Sequence, residues 1–387
     1  MTLTRPIWAE VSQGKLAQNY RRLLGLAGPD AELLSVIKAD AYGHGLAQCA
    51  RVLAAEGARW FGVTCVEEAA ALRGICPDAR ILSLSGLWPG EADAVIEHGL
   101  TPSVWTEAHL DLLGEAARRH GMRAGELPVH LEIDTGMSRQ GAQLGELPAL
   151  LERFRPPGPL RLEAAMTHFH SPHEPEANAG QMRAFAQAVE QIVRAGLRPE
   201  FLSAGSSADV LEQSTAAVAE LGRGLGARRM LRAGLGLYGY APDGHPDAVL
   251  QPVLAWKTRI TSLRWIEPGT TAGYGATYTA RRRTRLALLP AGYADGLSRL
   301  LSNRGWVLVR GQRAPVAGRI SMDQTMVDVT EIPDAVADDE VVLIGEQGRE
   351  RITAQQIAEL TGTITYEVLC AIAQRVPRTM VESPAPC

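Results

Sequence analysis

The sequence predicts a two-domain α/β protein, with an N-terminal (β/α)8 barrel of the TIM type and a C-terminal, mainly β domain. Three observations lead to this prediction. The chain has 387 residues, more than one ordinary domain needs. Short apolar runs alternate with helical patterns through its first two-thirds, which is typical of parallel strands joined by helices. Beyond Pro252 the pattern changes to short β-rich runs separated by turns.

Eight short apolar runs in the first part of the chain are the strand candidates. Helical patterns such as "LAQCARVLAAEGA" and "EADAVIEHG" fill the gaps between them, and several stop near a Gly, as helices often do. Eight strand–helix units over roughly 240 residues indicate a closed barrel, and a doubly wound open sheet is the alternative. The predicted strands are 33–38, 60–64, 81–84, 101–105, 129–134, 162–168, 200–204 and 230–235.

The C-terminal part of the chain reads as a second domain. Runs such as "TRLALLPAGY", "GWVLVRGQRAPVAG" and "EVVLIG" are β-rich, and turns such as "EPGT" separate them. Two helices are expected near its end, at 354–360 and 367–374. We therefore place the barrel at 11–248 and the mainly β domain at 249–387.

Composition and charge exclude several classes of protein. Hydrophobic residues make up 46% of the chain and charged residues 21%, with a formal net charge of -4, which is ordinary for a globular protein. The one basic run, at 281–283, is short, so no nucleic-acid partner is expected. The sequence shows neither a secretory signal nor an apolar membrane span, so no membrane partner is expected. The five cysteines form no Cys-x-x-Cys pair, which predicts a cytoplasmic location and no metal site.

In barrels of this type the active site lies at the carboxyl ends of the strands, and four polar residues lie in or near the ends of predicted strands. Lys38 ends the first predicted strand, Arg139 follows the fifth, His168 ends the sixth and Arg232 lies in the eighth. Each alone would more often be structural, and Lys38 could simply point into water. Four such groups at one barrel mouth instead indicate a binding or catalytic site.

The last two strands run into small, Gly-rich turns, "SAGSSA" and "RAGLG". Backbone N–H groups in such turns can approach a phosphate closely, and barrels of this type often hold one there. A lysine amine beside a phosphate cradle suggests a Schiff base with pyridoxal phosphate, because the amine is the natural nucleophile toward the aldehyde.

An ordered set of motifs resembles that of the alanine racemases: "VIKADAYGHG", "EIDTGMSRQG", "MTHFH", "RAGLGLYG", "GYGATYTA", "GYADG", "GRISMDQTMVDVT" and "RVPR". Order and spacing match from 7 to 378. The resemblance implies a fold type III enzyme that depends on pyridoxal phosphate and interconverts L-alanine and D-alanine, with D-alanine as a peptidoglycan precursor. It also implies that the first strand, "IWAEV" within 1–10, packs with the C-terminal domain.

The resemblance implies a two-base mechanism, with one base on each face of the substrate. Lys38 is then the base for the D-enantiomer and Tyr274 the base for the L-enantiomer. Tyrosine has an ordinary pKa of about 10 and needs nearby positive charge or donors to act as a base. His168 and Arg232 resemble the family residues that supply them. Arg232 would also face the pyridine nitrogen and keep it unprotonated.

The remaining site residues follow from the same resemblance. Arg139 would bind the substrate carboxylate, together with the backbone N–H of Met322, and Tyr293 would line the path by which substrate arrives. Tyr274 and Met322 would come from the partner subunit, which implies a homodimer with shared active sites. Asp295 and Asp323 are expected to be structural. The residues expected at the cofactor phosphate are Tyr42, Ser207, Gly234, Leu235 and Gln374.

Two positions depart from the family pattern. Glu132 stands three residues before "TGM", where many members have a carbamylated lysine, and we expect its carboxylate to replace the carbamate and hold Arg139 directly. Gln374 stands where the family usually has a tyrosine that touches the phosphate. Its amide can still donate to phosphate, but the aromatic wall is lost. This predicts a roomier or more polar pocket that accepts serine more readily.

Three other functions are compatible with parts of the pattern. A racemase for serine, or for a broader set of small amino acids, is the nearest alternative. A non-catalytic protein that binds pyridoxal phosphate on the same barrel has a single domain, so the β domain and Tyr274 argue against it. A decarboxylase on the same two-domain plan is disfavoured by the short "GYGATY" segment.

Overall fold

The computed structural model of the chain describes residues 5–171, 174–212, 216–241 and 250–382. Backbone contacts divide the chain into two compact units. The barrel unit comprises Leu16–Ala41 and Leu46–Gln251, and the C-terminal unit comprises Met1–Lys15, Tyr42–Gly45 and Pro252–Cys387. The domain bounds predicted from the sequence, 1–10, 11–248 and 249–387, stay a prediction at the level of single residues.

The chain opens with strand β1 (Ile7–Ser12) and helix α1 (Gln13–Ala27), and eight parallel strands then close into a barrel, as predicted. The barrel strands are β2 (Ala31–Val36), β3 (Trp60–Val63), β4 (Arg80–Ser83), β5 (Thr101–Val104), β6 (Leu127–Glu132), β7 (Leu160–Met166), β8 (Phe201–Ser203) and β9 (Arg228–Ala233). The helices of this region are α2 (Lys38–Gly43), α3 (Leu46–Ala55), α4 (Val66–Ile75), α5 (Ala92–Glu97), α6 (Glu107–Arg119), α7 (Leu147–Glu152), α8 (Pro175–Arg194), α9 (Ser207–Glu212) and α10 (Ala216–Arg223).

The barrel strands are buried along most of their length. All six residues of β2 are buried, as expected for a parallel strand that is covered on both faces. β2 pairs with β3 on one side and with β9 on the other, where Leu33 lies opposite Leu231. The helices cover the outside with one apolar face each. In α6, for example, Thr106 caps the first turn by accepting a hydrogen bond from the His109 N–H, and Leu110 and Leu113 are buried.

The C-terminal unit is strand-rich, as predicted. Besides β1, its strands are β10 (Leu254–Arg259), β11 (Ser262–Ile266), β12 (Thr271–Ala272), β13 (Tyr278–Thr279), β14 (Thr284–Leu289), β15 (Trp306–Val309), β16 (Gln312–Pro315), β17 (Thr325–Asp328), β18 (Glu340–Gln347), β19 (Glu350–Ile352) and β20 (Arg378–Val381). The main sheet has the order β16-β15-β18-β10-β1-β20, with β19 beside β18, and β1 pairs antiparallel with β10 and parallel with β20. A second sheet has the order β11-β14-β17, and β12 and β13 form a small pair.

Two helices lie near the end of this unit, α11 (Ala354–Thr361) and α12 (Thr365–Cys370). α11 begins with a capping box, in which Thr353 and Gln356 exchange hydrogen bonds with each other's backbone N–H. α12 begins earlier and ends earlier than the predicted 367–374. The chain leaves the helix because the Ala373 N–H bonds to the carbonyl of Asp295, so Gln374 lies in a turn. None of the helices in the described part of the chain has the length and apolar character of a membrane span.

Candidate active site

Lys38 lies just beyond the end of β2 and begins an unusual turn. Four consecutive residues after it have positive φ, which makes α2 a turn of left-handed helix: Ala39 (52°), Asp40 (52°), Ala41 (55°) and Tyr42 (54°). Such a turn costs about 1–2 kcal/mol per non-glycine residue. Hydrogen bonds offset part of this cost, since Glu68 accepts from the Ala39 N–H at 2.7 Å and Asp40 from the Leu46 N–H at 2.7 Å. The backbone that carries Lys38 is therefore fixed against an intrinsic preference, as is common at functional sites.

Arg232 is buried inside the barrel and uses its guanidinium to hold two other strands. Its Nη1 donates to Ser203 Oγ at 2.8 Å, and its Nη2 donates to the Thr167 carbonyl at 2.7 Å. Nη2 also lies 3.0 Å from Nδ1 of His168. A guanidinium can only donate, so Nδ1 is the acceptor and the ring proton lies on Nε2.

His168 is neutral in this setting. Burial lowers the pKa of His168 most, and the positive charges of Arg232, Arg139 and Lys38 lower it further, to about 3. Arg232 contacts His168 directly, and Arg139 and Lys38 lie near enough for their charges to act on its imidazole. The result is a site with three cations and an imidazole whose Nε2–H can donate.

Glu132 is the buried carboxylate of this site, and its hydrogen-bond partner is Gln140. Gln140 Nε2 donates to Glu132 Oε2 at 2.6 Å and to the Leu84 carbonyl at 3.1 Å. Burial raises the pKa of Glu132, and the charges of Arg232 and Arg139 and the Gln140 amide oppose that rise. Within the described residues no hydrogen bond or ion pair joins Glu132 to Arg139, so the structure does not give the direct contact that we expected. The carboxylate acts on Arg139 through space.

The two Gly-rich turns meet at Ser207. Its Oγ accepts from the N–H of Gly234 at 3.0 Å and from the N–H of Gly236 at 3.1 Å. The Ser206 N–H donates to the buried Asp209 at 2.6 Å, which fixes the start of α9. A Cβ at Gly236 would come within 3.1 Å of Ser207, so the close approach of the two turns depends on glycine there. Leu235 is buried beside Gly234.

The C-terminal unit carries the other predicted residues. Tyr42, assigned to this unit by its contacts, is buried with its ring 5.9 Å from that of Tyr366, and burial raises its pKa. Tyr274, Met322 and Tyr293 are large apolar side chains on the surface, with 71%, 54% and 43% of their area exposed. Gln374 is exposed as well.

The turn that presents Tyr274 depends on the glycines of "GYGATY". Gly273 and Gly275 have φ of 75° and 71°, a region that disfavours other residues. A Cβ at Gly275 would lie 3.1 Å from Arg319 Nη1. The local sequence therefore builds a tight turn that projects a tyrosine into solvent, which no packing requirement of this unit explains.

Two features of the site escaped sequence reasoning. Gln140 follows Arg139 directly, but nothing in "SRQG" shows that its amide turns back eight residues to Glu132. The ion cluster of Arg5 and Arg375 around Asp295 joins segments about 290 and 80 residues apart, and no periodic pattern connects them. In the described ranges, no group of three or more His, Cys, Asp or Glu side chains is arranged to hold a metal ion.

Fold and site together define a two-unit barrel enzyme whose cationic mouth is suited to an anionic ligand. Profiles of two family domains match the chain, "Alanine racemase, N-terminal domain" over residues 11–242 and "Alanine racemase, C-terminal domain" over residues 253–380. The chain belongs to the alanine racemase family, whose members are isomerases.

Similar proteins cover the chain nearly end to end. The alanine racemase of Halothermothrix orenii is 37% identical over 380 residues, and that of Symbiobacterium thermophilum is 39% identical over 379 residues, each covering 97% of both chains. Among solved structures, the alanine racemase of Streptomyces coelicolor superposes with a TM-score of 0.88 at 34% identity, covering 98% of each chain. The alanine racemase of Bacillus anthracis with bound L-Ala-P gives 0.89 at 28% identity, covering 99% of this chain and 96% of the other.

Proposed function

We propose that the protein interconverts L-alanine and D-alanine with pyridoxal 5'-phosphate as its cofactor, acting as a homodimer. The observation that carries the proposal is the hydrogen bond from the buried Arg232 to the neutral His168 at the carboxyl ends of the barrel strands, with Lys38 just beyond the end of β2. The full-length relatives named alanine racemase support the same reaction. The reaction would take place in the cytoplasm, and its product, D-alanine, would be a precursor of peptidoglycan.

The residues present fit the cofactor. Lys38 would hold it covalently through its amine, and Arg232 would face the ring nitrogen. A guanidinium is positively charged and can only donate, so it would disfavour protonation of a ring nitrogen held next to it. The turns joined by Ser207 would hold the phosphate, with Tyr42, Gly234, Leu235 and Gln374. When bound, pyridoxal phosphate makes the α-proton of an amino acid acidic by delocalising the electrons left behind.

The chain supplies two groups that can move this proton. Lys38 Nζ would take or return it on one face of the substrate, and Tyr274 Oη on the other. Arg232 donates to His168 Nδ1, which leaves His168 Nε2–H to stabilise the tyrosine as a phenolate. Tyr274 would come from the partner subunit, in agreement with its 71% exposure in the single chain.

Two groups would hold the substrate carboxylate. Arg139 is exposed at the barrel mouth, and within the described residues it has no ion pair that would occupy its guanidinium. The backbone N–H of Met322 from the partner subunit would be the second group, with Tyr293 on the access path. Glu132 would keep Arg139 in place by charge and so replace the carbamate of other family members.

One experiment tests the reaction, its cofactor and its attachment point. Purified protein with pyridoxal phosphate is incubated with single L-amino acids in D2O, and α-proton exchange is followed by proton NMR and the D-enantiomer by a chiral assay. We expect alanine to react fastest. Borohydride reduction followed by peptide mass spectrometry should find the cofactor on Lys38, and Lys38→Ala should lose both signals. If the cofactor is found on Lys38 but no amino acid exchanges its α-proton, the result would favour the alternative of a non-catalytic protein that binds pyridoxal phosphate.

A second candidate is a racemase for serine or for a broader set of small amino acids. The observation that favours it is Gln374, a polar amide in an exposed turn where the family usually has a tyrosine. In the same panel, faster exchange of serine than of alanine would assign the protein to this alternative.

A further inference from the structure

Two partly exposed arginines in the C-terminal unit surround the carboxylate of Asp295. Its side chain is completely buried and accepts four hydrogen bonds. Arg5 donates through Nη1 to Oδ1 and through Nη2 to Oδ2, both at 2.6 Å, Arg375 Nε donates to Oδ1 at 2.8 Å, and the Gly292 N–H donates to Oδ2 at 2.9 Å. Burial alone would raise the pKa of Asp295, but the bonds from Arg5 and Arg375 outweigh it and the pKa lies below its ordinary value. The carboxylate is a saturated, charged anchor.

This anchor closes the turn that carries Tyr293. The Asp295 N–H donates to the Gly292 carbonyl at 3.0 Å, which makes the segment a 3-10 turn, and the Asp295 carboxylate accepts from the Gly292 N–H. The turn then binds the backbone before β17. The Tyr293 N–H donates to the Ser321 carbonyl at 3.1 Å, and the Ala294 N–H donates to the Met322 carbonyl at 2.9 Å. A Cβ at Gly292 would come within 2.3 Å of the Met322 carbonyl oxygen, so only glycine permits this approach.

The two arginines that bind Asp295 also contact Asp323, which follows Met322 directly. Arg375 Nη2 donates to Asp323 Oδ1 at 2.6 Å, and Arg5 Nη2 lies 3.4 Å from the Asp323 carbonyl oxygen. Every carbonyl from Ser321 to Asp323 is thus within hydrogen-bond distance of a donor that belongs to the turn or to an arginine bound to Asp295. Three points along a stretch of three residues leave the peptide of Met322 little freedom.

We propose that Asp295, with Arg5 and Arg375, is a positioning residue that fixes the Met322 N–H and the Tyr293 turn for recognition of the substrate carboxylate. The inference rests on the proposed function, in which Met322 binds that carboxylate. It goes beyond a structural role for Asp295, because the charge of this buried carboxylate would then affect the affinity for substrate.

The test compares Asp295→Asn with Asp339→Asn. Asp339 is a matched control in the same unit, since it accepts from Arg310 Nε at 2.6 Å, Arg310 Nη2 at 2.9 Å and the Val336 N–H at 2.8 Å, away from the Tyr293 turn. We expect Asp295→Asn to raise KM for alanine at least tenfold and to change kcat less than threefold. The Ki of propionate, a carboxylate that lacks the amine, should rise by the same factor. Asp339→Asn should change neither constant, whatever it does to thermal stability.

The outcomes separate the two proposals. A wild-type protein that does not racemise alanine refutes the proposed function, whereas an active wild type with unchanged KM and Ki in Asp295→Asn refutes the positioning role. Equal changes in Asp295→Asn and Asp339→Asn would reduce the cluster to a folding role. If Asp295→Asn does not fold, Arg375→Gln and Arg375→Lys replace it. KM for alanine should rise in Arg375→Gln and should rise less in Arg375→Lys, which keeps the positive charge. Equal KM values in the two variants would overturn the inference.

Discussion

The two ends of the barrel both bury charged side chains, but they differ in how those charges are paired. Toward the amino ends of the strands, Glu163 is completely buried and accepts from Arg80 at 2.8 Å and Arg161 at 2.9 Å, while the side chains of these arginines remain 42% and 44% exposed. At the carboxyl ends, the guanidinium of Arg232 and the carboxylate of Glu132 are both buried, but the hydrogen-bond partner of Glu132 is the Gln140 amide and not an arginine.

The difference separates stability from function. The buried carboxylate of Glu163 has two arginines and His130 as partners and needs no other, and Arg80 also stacks over Trp60 at 4.3 Å. A buried guanidinium beside Lys38 and Arg139 leaves positive charge that an anionic ligand can neutralise. The amino end should therefore determine stability, and the carboxyl end should determine binding and rate.

The largest effect that this comparison predicts is on stability, from Glu163→Gln. The change leaves two arginines and the buried His130 without their common carboxylate, and breaking a buried pair is strongly destabilising. We expect the free energy of unfolding to fall by about 2–3 kcal/mol, with kcat and KM unchanged. Glu190→Gln, which removes an exposed pair with Arg194 on α8, should cost at most about 0.5 kcal/mol. Urea unfolding measures both variants.

The contribution of Glu163 to stability should also depend on pH. Burial raises the pKa of Glu163, but hydrogen bonds from His130 and Arg80 outweigh it and lower the pKa to about 2. The stabilisation is thus complete above the ordinary glutamate pKa of about 4.3 and is lost as the pH falls from there toward 2. The wild type should lose more stability than Glu163→Gln across this range. Parallel curves would show that Glu163 is not the buried charge that matters.

A middle-sized effect is expected at the other end, from Glu132→Gln. Burial raises the pKa of Glu132, so removing its charge should leave the free energy of unfolding at pH 7 unchanged or slightly higher. Arg139 and Arg232 lose their nearest negative charge, and kcat should fall about tenfold, or about 1.4 kcal/mol. Glu132→Gln keeps an amide oxygen that can still accept from Gln140, so it removes mainly the charge. Gln140→Leu is the matched control, because it removes the hydrogen bond but keeps the charge, and its effect on kcat should be smaller. Unchanged kinetics in Glu132→Gln would refute the replacement of the carbamate.

The sequence predicted the barrel well and its site only in part. Most residues of the barrel strands are buried, which leaves short and largely apolar runs such as "WFGV" that the sequence reveals. Lys38, His168 and Arg232 followed from the rule that sites lie at strand ends. Gln140 and the left-handed turn after Lys38 did not, since a side chain that crosses a loop and a backbone held in positive φ by tertiary contacts leave no local pattern.

The smallest effect we predict concerns specificity at Gln374. Ala373 is held by the Asp295 carbonyl and Arg375 by the carboxylates of Asp295 and Asp323, so a substitution between them should leave the backbone in place. In Gln374→Tyr the aromatic ring is larger than the amide that it replaces and should narrow the pocket. The ratio of kcat/KM for serine to kcat/KM for alanine should then fall about fivefold, which corresponds to about 1 kcal/mol. Gln374→Phe provides the same wall without a hydroxyl. Equal ratios in both variants would assign the effect to size, whereas a ratio unchanged from wild type would show that the amide at Gln374 does not set the substrate preference.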